Sequence, residues 1–150
     1  MKEKFLDAEV VAGVSTSGIP WATMIADQLQ LSLIYVRPEP KTHGRQNVIE
    51  GKLVPGQKVV VIEDLISTGK SSLQVVDNII KEGGDVMGLL ANFDYGFQIS
   101  EKQFKDAGVE YFSLSNYETL INLAVEKNYV SSSDLLTLQE WRKNPTEWGK

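Results

Sequence analysis

The sequence predicts an α/β fold in which about five mainly parallel strands form a sheet with helices on both faces. Three observations support this fold class. Short runs rich in β-branched and aromatic residues recur along the chain, segments with apolar residues at three- and four-residue spacing fill most of the gaps between them, and turns of small or charged residues follow several of the runs. This alternation is typical of successive right-handed β-α units.

The strand candidates are short, and the third is the clearest. It contains the run Val59-Val60-Val61-Ile62, and an unbroken apolar run of this kind is typical of a strand buried on both faces in a parallel sheet. All of the candidates are enriched in β-branched or aromatic residues. In chain order they are residues 8–14, 32–37, 58–63, 86–92 and 109–114.

The helix candidates each carry an apolar stripe, and we expect these stripes to face the core. Pro20 is tolerated in the first turn of the first helix, Gly83-Gly84 ends the second, and residues 131–134 offer caps for the last. The candidates are residues 18–30, 71–81, 116–127 and a last helix that follows the caps. Their apolar positions are Ile19, Ala22, Ala26 and Leu29; Leu73, Val76 and Ile80; Leu120, Ile121, Ala124 and Val125; and Leu135, Leu136, Leu138 and Trp141.

Length and composition exclude several classes of protein. With 150 residues, 42% of them hydrophobic, the chain is expected to form a single globular domain over residues 1–150. The absence of cysteine excludes disulfides, thiolate catalysis and cysteine-bound zinc. No apolar stretch is long enough to span a bilayer and the first residues lack a signal-peptide core, so we expect a cytoplasmic protein. The net charge of −5 argues against broad nucleic-acid binding.

The most informative segment begins at the carboxyl end of the third strand candidate, where Glu63 and Asp64 precede a turn of hydroxyl and glycine residues at 67–71. Backbone N–H groups and hydroxyls of such a turn can surround an anion, and the helix that follows directs the positive end of its dipole there. The segment therefore predicts a phosphate site. The two carboxylates repel a phosphate, so we expect them to serve sugar hydroxyls or a divalent cation beside it.

Two other interpretations also match parts of this segment. Gly69-Lys70-Ser71 is similar to the end of a Walker nucleotide-binding loop, but that loop needs a glycine where this chain has Asp64. The carboxylate would obstruct a triphosphate, so the Walker interpretation is excluded. A simpler interpretation stays open, in which Asp64 or Ser67 only caps the helix that follows.

Two further turns are expected at the same edge of the sheet, because ligands in such folds bind beyond the carboxyl ends of the strands. Residues 15–18 form a small-residue turn after the first strand candidate. Residues 37–45 follow the second; they are basic in an acidic chain, include its only histidine, and contain prolines and a glycine that prevent a helix. We expect a mobile surface loop, which is either a solvated charged hairpin or a lid whose cations close over a polyanion.

Three segments, in this order along the chain, resemble the orotate phosphoribosyltransferases, a family of type I phosphoribosyltransferases. They are VAGVSTSGIP at 11–20, YVRPEPKTHG at 35–44 and VIEDLISTGKSS at 61–72. Residues 138–142 and 145–148 are also similar to the tails of one branch. The resemblance implies a Rossmann-like type I phosphoribosyltransferase core. It also implies transfer of the phosphoribosyl group of phosphoribosyl pyrophosphate (PRPP) to orotate, which gives orotidine 5′-monophosphate and pyrophosphate in pyrimidine (UMP) biosynthesis.

The resemblance implies a role for each motif. The turn at 67–71 would hold the ribose 5-phosphate, the acids before it would face the ribose hydroxyls, and the basic segment would close on pyrophosphate. The implied catalytic residues are Lys41, His43, Glu63 and Asp64, and the implied orotate-binding residues are Ser67 and Tyr95. The implied PRPP-binding residues are Thr16, Ser17, Arg37, Lys41, His43, Glu63, Asp64, Leu65, Ile66, Ser67, Thr68, Gly69, Lys70 and Ser71.

The resemblance also implies a cofactor and an assembly. Mg²⁺ would be carried by PRPP near Glu63 and Asp64, with no direct protein ligand. The lid of this family reaches into the site of the neighbouring subunit, so a homodimer that shares the loop at 37–45 is implied. Neither a nucleic acid nor a membrane is expected as a partner.

The chain departs from the family pattern at several positions. Ser17 stands in place of a lysine, Pro38 in place of a second basic residue, and Tyr95 in place of an orotate-binding arginine. Only residues 1–7 precede the first strand candidate, where family members carry a longer segment that forms a hood over the base. We therefore expect a truncated or shortened chain with weak or absent orotate turnover and a retained PRPP site. Two alternatives stay open: a regulatory module that binds PRPP or a nucleotide with little turnover, and a phosphoribosyltransferase for another base.

Overall fold

In the computed structural model, which describes residues 1, 3–40 and 47–148, six strands form one sheet. They are β1 (Val10–Val14), β2 (Ser32–Val36), β3 (Ile49–Glu50), β4 (Lys58–Ile66), β5 (Asp85–Asp94) and β6 (Tyr111–Asn116). Their order across the sheet is β3-β2-β1-β4-β5-β6. The β2–β3 pair is antiparallel and every other neighbouring pair is parallel, so the predicted mainly parallel sheet is confirmed.

Five α-helices lie between or after the strands in the described ranges. The Ser131 side chain accepts a hydrogen bond from the Asp134 amide at 3.3 Å and so caps the last of them. None of these helices combines the length and the apolar composition needed to cross a bilayer. The helices are α1 (Gly18–Leu29), α2 (Lys70–Lys81), α3 (Gln98–Ala107), α4 (Tyr117–Glu126) and α5 (Ser132–Lys143), and a short 3-10 turn (Pro145–Glu147) follows them.

Helices cover both faces of the sheet, because successive residues of a strand point in opposite directions. Val59 and Val61 of β4 belong to the core that packs against α2 and α3, whereas Val60 and Ile62 belong to the core that packs against α1. None of these four side chains is more than 2% exposed. The central strand is therefore buried on both faces, as its apolar run predicts.

One strand and one α-helix lie outside the predicted set, in addition to the short 3-10 turn. β3 has two residues and pairs with β2 through Tyr35–Glu50 and Val36–Ile49, and α3 is a mainly polar helix whose buried residues are Ser100 and Phe104. Neither segment carries a strong local pattern. β4 also continues past its predicted end to Ile66, because β5 pairs with it over this stretch. Glu63, predicted as the last residue of the strand, and Asp64, predicted to follow it, therefore both lie inside β4.

The predicted apolar stripes are wrong at several positions. In α2, Ile80 is 53% exposed, and Val76 and Ile79 fill the core. In α4 and α5, Leu120 and Leu136 are 50% and 70% exposed, and α5 buries none of its described residues. These two helices follow the last strand of the sheet and pack against each other. They consequently have less apolar surface to cover than a helix that lies on the sheet.

Candidate functional site

The carboxyl ends of the parallel strands meet at one edge of the sheet. β1 lies between β2 and β4, with Gly13 opposite both Tyr35 and Ile62, and β4 and β5 remain paired as far as Ile66 and Asp94. The turns that follow β1, β2, β4 and β5 therefore open at the same edge, as expected for a parallel sheet.

The turn after β1 is pressed against β4 at this edge. A Cβ atom built on Gly18 would overlap the carbonyl oxygen of Ile62 and lie 3.4 Å from the Cα atom of Glu63, so the approach requires a glycine. Thr16 and Ser17 remain exposed in this turn. Two hydroxyl side chains are thereby held, open to solvent, beside the strand that carries the carboxyl groups.

Glu63 is a buried acid, 4% exposed, beside the point where the first turn meets β4. Its Oε2 atom accepts a hydrogen bond from the Ser72 hydroxyl at 2.9 Å, and its Oε1 atom accepts one from the Asp64 amide at 3.1 Å. Burial, followed by hydrogen bonding with the Asp64 side chain, raises the pKa of Glu63 to about 7. Asp64 is half-buried, so the pair offers one shielded and one accessible carboxyl group.

The start of α2 carries no side-chain cap among the described residues. Gly69 is the N-cap residue, with a φ angle of 81°, and no side chain accepts a capping hydrogen bond there. The Lys70 amide lies 3.5 Å from the Thr68 hydroxyl oxygen, which is a long contact. The interpretation in which Asp64 or Ser67 merely caps this helix is therefore wrong. The amide groups of the first turn of α2 are instead available to an anion.

The residues around this turn differ in what they can offer to a ligand. Ile66 is fully buried in the core, so only its backbone borders the site. Its carbonyl group accepts a hydrogen bond from the Tyr95 amide at 3.0 Å, which fixes the turn after β5 next to the turn after β4. The predicted site residues with partly or fully exposed side chains are Leu65, Ser67, Thr68, Lys70 and Ser71.

Arg37 begins the basic segment after β2 and is already engaged. Its Nη1 atom lies 3.1 Å from Oε1 of Glu50 on β3. Asn78 of α2 donates a hydrogen bond to the Arg37 carbonyl group at 2.9 Å, so the start of the segment is attached to that helix. Lys41 and His43, the other two predicted site residues of this segment, lie outside the described residues.

The carboxyl pair is the part of the site that suits a metal ion. Within residues 1, 3–40 and 47–148, no cluster of three or more histidine, aspartate or glutamate side chains could hold one. Mg²⁺ is commonly bound by one or two carboxylates together with substrate phosphates. The residue types of Glu63 and Asp64 fit a magnesium ion that arrives with a phosphate ligand.

A cavity of about 620 Å³, called the edge cavity below, opens beside the turn after β4. It is lined by Ser67 and Thr68, by residues 95–99, and by residues 141–146 at the C-terminal end of α5 and beyond it. Its volume falls in the range of small-molecule sites. The phosphate turn and a space for a second chemical group are thus continuous.

Aromatic rings from separate elements wall the edge cavity. Tyr95 and Phe97 stack with their ring centres 5.2 Å apart and an angle of 5° between the planes. Trp141 of α5 meets these two rings at 5.7 and 5.9 Å, and Tyr117 of α4 packs 5.9 Å from Tyr95. Flat apolar walls of this kind suit a planar ligand.

Three residues of the edge cavity were predicted from the sequence as site residues, namely Ser67, Thr68 and Tyr95, whereas Phe97, Trp141 and Arg142 were missed. The recurrence of aromatic residues at alternate positions 93, 95 and 97 is a local signal that could have indicated Phe97. The two residues of α5 have no such signal. Only the likeness of residues 138–142 to the tails of the family pointed to that segment.

This chain is similar to several known proteins. A model of the phosphoribosyl transferase domain matches residues 2–122. The orotate phosphoribosyltransferase of Cytophaga hutchinsonii is 55% identical over 142 residues, which make up 95% of this chain and 68% of that protein. The crystal structure of orotate phosphoribosyltransferase from Aeropyrum pernix is similar with a TM-score of 0.67 and 28% identity, over 86% of this chain and 68% of that chain.

A further solved structure carries a ligand. It is Mycobacterium tuberculosis H37Rv orotate phosphoribosyltransferase in complex with 5-phospho-alpha-D-ribosyl 1-diphosphate, with a TM-score of 0.61 and 28% identity, over 76% of this chain and 66% of that chain. The chain therefore spans about two thirds of the length of these proteins.

Proposed function

This chain belongs to the orotate phosphoribosyltransferase family, and we propose that the edge of its sheet is where the reaction of that family takes place. The reaction transfers the phosphoribosyl group of PRPP to orotate and releases pyrophosphate, with orotidine 5′-monophosphate as the nucleotide product of this step in pyrimidine biosynthesis. One observation carries the assignment to this edge. The uncapped start of α2, the Glu63–Asp64 pair and the edge cavity adjoin one another.

The ribose 5-phosphate is assigned to residues 67–71. Support comes from the missing side-chain cap of α2, since backbone N–H groups and the helix dipole favour an anion at that point. The hydroxyl groups of Thr68 and Ser71 and the ammonium group of Lys70 are exposed beside it. A phosphate would accept hydrogen bonds from the amide groups at the start of α2, which have no side-chain cap among the described residues.

Glu63 and Asp64 are assigned to the ribose. When the bond between the anomeric carbon and the pyrophosphate oxygen breaks, positive charge develops on the sugar, and a fixed carboxylate stabilises that charge more than it stabilises the ground state. The Ser72 hydroxyl and the Asp64 amide hold the Glu63 carboxyl group in place. Preorganisation of this kind is what electrostatic stabilisation of a transition state requires.

The leaving pyrophosphate is assigned to the turn after β1 and to the basic segment after β2. Thr16 and Ser17 are exposed beside β4 and can donate hydrogen bonds, and Arg37, Lys41 and His43 are the cations assigned to the pyrophosphate by the resemblance. Mg²⁺, carried by PRPP near the Glu63–Asp64 pair, would neutralise part of the negative charge on this group.

The base is assigned to the edge cavity, where Ser67 and Tyr95 were expected to bind orotate and where both form part of the wall. Ser67 belongs to the turn assigned to the phosphate, so one nucleotide could place its base and its phosphate on either side of this residue. The stacked rings of Tyr95 and Phe97 support the choice of a planar ligand.

A homodimer and a cytoplasmic location are also proposed, on the basis of the family and its biosynthetic role. Apolar side chains on α1 are available for an interface, since Trp21 and Met24 are 44% and 65% exposed. Size-exclusion chromatography with light scattering tests the assembly directly, and a monomer at micromolar concentration would contradict it.

The proposed function is tested by mixing the chain with PRPP and Mg²⁺, and then adding orotate while pyrophosphate release and loss of orotate absorbance are recorded. The Cytophaga hutchinsonii enzyme serves as the positive control. Release of pyrophosphate that depends on orotate supports the proposal, even at a low rate. Calorimetric binding of PRPP without release in the presence of orotate would instead support a binding module, and release with uracil or a purine but not with orotate would support another base.

A further inference from the structure

The described side chains that line the edge cavity include positive charges and no negative ones. Arg142 and Lys143 contribute to the wall, and no aspartate or glutamate does so. This is unusual in a chain whose net charge is −5. A cavity with apolar rings and only cationic charge favours a flat ligand that carries a negative group.

Arg142 lies in the last turn of α5 and lines the cavity. Its Nη1 atom is 3.8 Å from the Cβ position of Gly96, so the guanidinium group lies next to the turn that follows β5. The same atom forms an ion pair of 3.5 Å with Oε2 of Glu118, whose side chain is 66% exposed. A pair this exposed is weak, and a guanidinium group has five N–H donors, so donors remain for a ligand.

Lys143 is less suited to the same task. Its Nζ atom lies 2.7 Å from Oε1 of Glu140, and its side chain is 71% exposed. An ammonium group also acts as a point charge, whereas a guanidinium group can donate two parallel hydrogen bonds to a carboxylate. Of the two cations, Arg142 therefore fits a planar carboxylate better.

We propose that Arg142 recognises the carboxylate of orotate, while Trp141, Tyr95 and Phe97 enclose the ring. The proposal rests on the proposed function, because it assigns the base specificity of the same site. It makes the C-terminal helix α5 part of the specificity pocket. The same cavity is also lined by Ser67 and Thr68 of the phosphate turn, so α5 and that turn border one space.

The test compares two nucleotides that differ only in this carboxylate. Dissociation constants of orotidine 5′-monophosphate and uridine 5′-monophosphate are measured by isothermal titration calorimetry for the wild-type chain and for Arg142→Gln. The wild-type chain is expected to prefer orotidine 5′-monophosphate, and the substitution is expected to reduce that preference by about tenfold or more, as for a charge-assisted hydrogen bond. Affinity for uridine 5′-monophosphate should change little.

Three further variants serve as controls. Lys102→Gln removes a positive charge from the exposed surface of α3, where the lysine pairs with Asp106 at 2.8 Å, and should leave the preference unchanged. Glu118→Gln removes the competing partner of Arg142 and should maintain or increase the preference. Arg142→Lys should recover part of it, since a cation remains without the paired donors.

The outcomes separate this inference from the proposed function. The inference is overturned if Arg142→Gln retains the wild-type preference, or if it lowers the affinity for both nucleotides equally at an unchanged melting temperature. In that case, orotate-dependent pyrophosphate release by the wild-type chain would still support the proposed function. If the wild-type chain neither binds these nucleotides nor releases pyrophosphate with orotate, both are overturned. A selective loss for orotidine 5′-monophosphate supports both.

Discussion

The hydroxyl group of Ser72 lies 2.9 Å from Oε2 of Glu63 and donates the hydrogen bond that joins α2 to β4. Both residues are buried, at 1% and 4% exposure. Burying a carboxyl group destabilises the folded state unless the group is hydrogen-bonded. The contact with Ser72 therefore stabilises the Glu63 side chain in its buried position. It also connects the two ends of the turn that is assigned to phosphate.

Replacing Ser72 with alanine is expected to lower the free energy of unfolding by about 1–2 kcal/mol. The hydrogen bond from Ser72 lowers the pKa of Glu63, so its loss should raise that pKa further and cost more at pH 8 than at pH 5. Urea unfolding at both pH values measures the difference. Ser71→Ala, one position earlier and exposed, is the matched control and should have a small effect. An equal loss of unfolding free energy at the two pH values would argue against a hydrogen bond from Ser72 to the Glu63 carboxyl group.

Glu63→Gln tests the cost of ionising a buried acid. The pKa of Glu63 is raised to about 7 in the folded chain from an ordinary value of 4.5, so the folded state holds the proton more tightly than the unfolded state. The wild-type chain therefore loses stability as the pH rises through this window, and the glutamine variant does not. Between pH 4.5 and pH 7.5, we expect the free energy of unfolding of the variant to rise by about 1–3 kcal/mol relative to that of the wild type. A stability difference that is constant with pH would contradict this account.

Gly69→Ala should disturb the phosphate turn in two ways. The residue has a φ angle of 81°, and an added Cβ atom would lie 2.7 Å from Cε2 of the Phe104 ring. Gly56→Ala is a matched control, because Gly56 has a φ angle of 84° and no atom within 4 Å of the added Cβ. The free energy of unfolding should fall by about 1 kcal/mol in both variants because of backbone strain. It should fall further in Gly69→Ala because the added Cβ atom clashes with the Phe104 ring.

Thermal unfolding compares the two glycine variants, and calorimetry with PRPP and Mg²⁺ reports on binding. Weaker PRPP binding is expected for Gly69→Ala alone. If the control weakens binding to the same extent, the turn after β4 has no special role.

Asp64→Asn should slow the chemical step. Loss of the accessible carboxylate removes a charge that opposes the positive charge on the sugar, and we expect kcat to fall by on the order of a hundredfold. Asp85→Asn, at the exposed start of β5 and thus at the opposite edge of the sheet, provides the control. Orotate-dependent pyrophosphate release is the measurement. An unchanged kcat in Asp64→Asn would remove this residue from the proposed mechanism.

Lys41→Ala should slow pyrophosphate release by on the order of a hundredfold, because a lysine at this position would neutralise the leaving group. The expectation comes from the sequence, since Lys41 lies outside the described residues. Lys52→Ala removes a comparable exposed charge after β3 and should have little effect. Single-turnover kinetics separates this step from product release, and a wild-type rate in Lys41→Ala would exclude the role.

Most of the sheet could be predicted from the sequence because the patterns are local. The run from Val59 to Ile62 is apolar at every position, so it predicts a strand buried on both faces without any knowledge of its neighbours in the sheet. β3 could not be predicted, since a two-residue strand exists only through its pairing with β2. α3 was missed because its polar sequence buries only Ser100 and Phe104. The exposure of Leu136 was missed because the sequence of α5 does not show how few other residues pack against that helix.

By itself, the sequence determined which residue types follow each strand: two acids, then small hydroxyl residues and glycine, and a basic segment elsewhere. These depend only on neighbours along the chain, and they were enough to indicate a sugar phosphate. The tertiary structure alone decided that Glu63 is buried, that the start of α2 has no side-chain cap, and that Arg142 and Ser67 line the same cavity. Burial and cavities are created by residues that are distant in sequence, so no local pattern contains them.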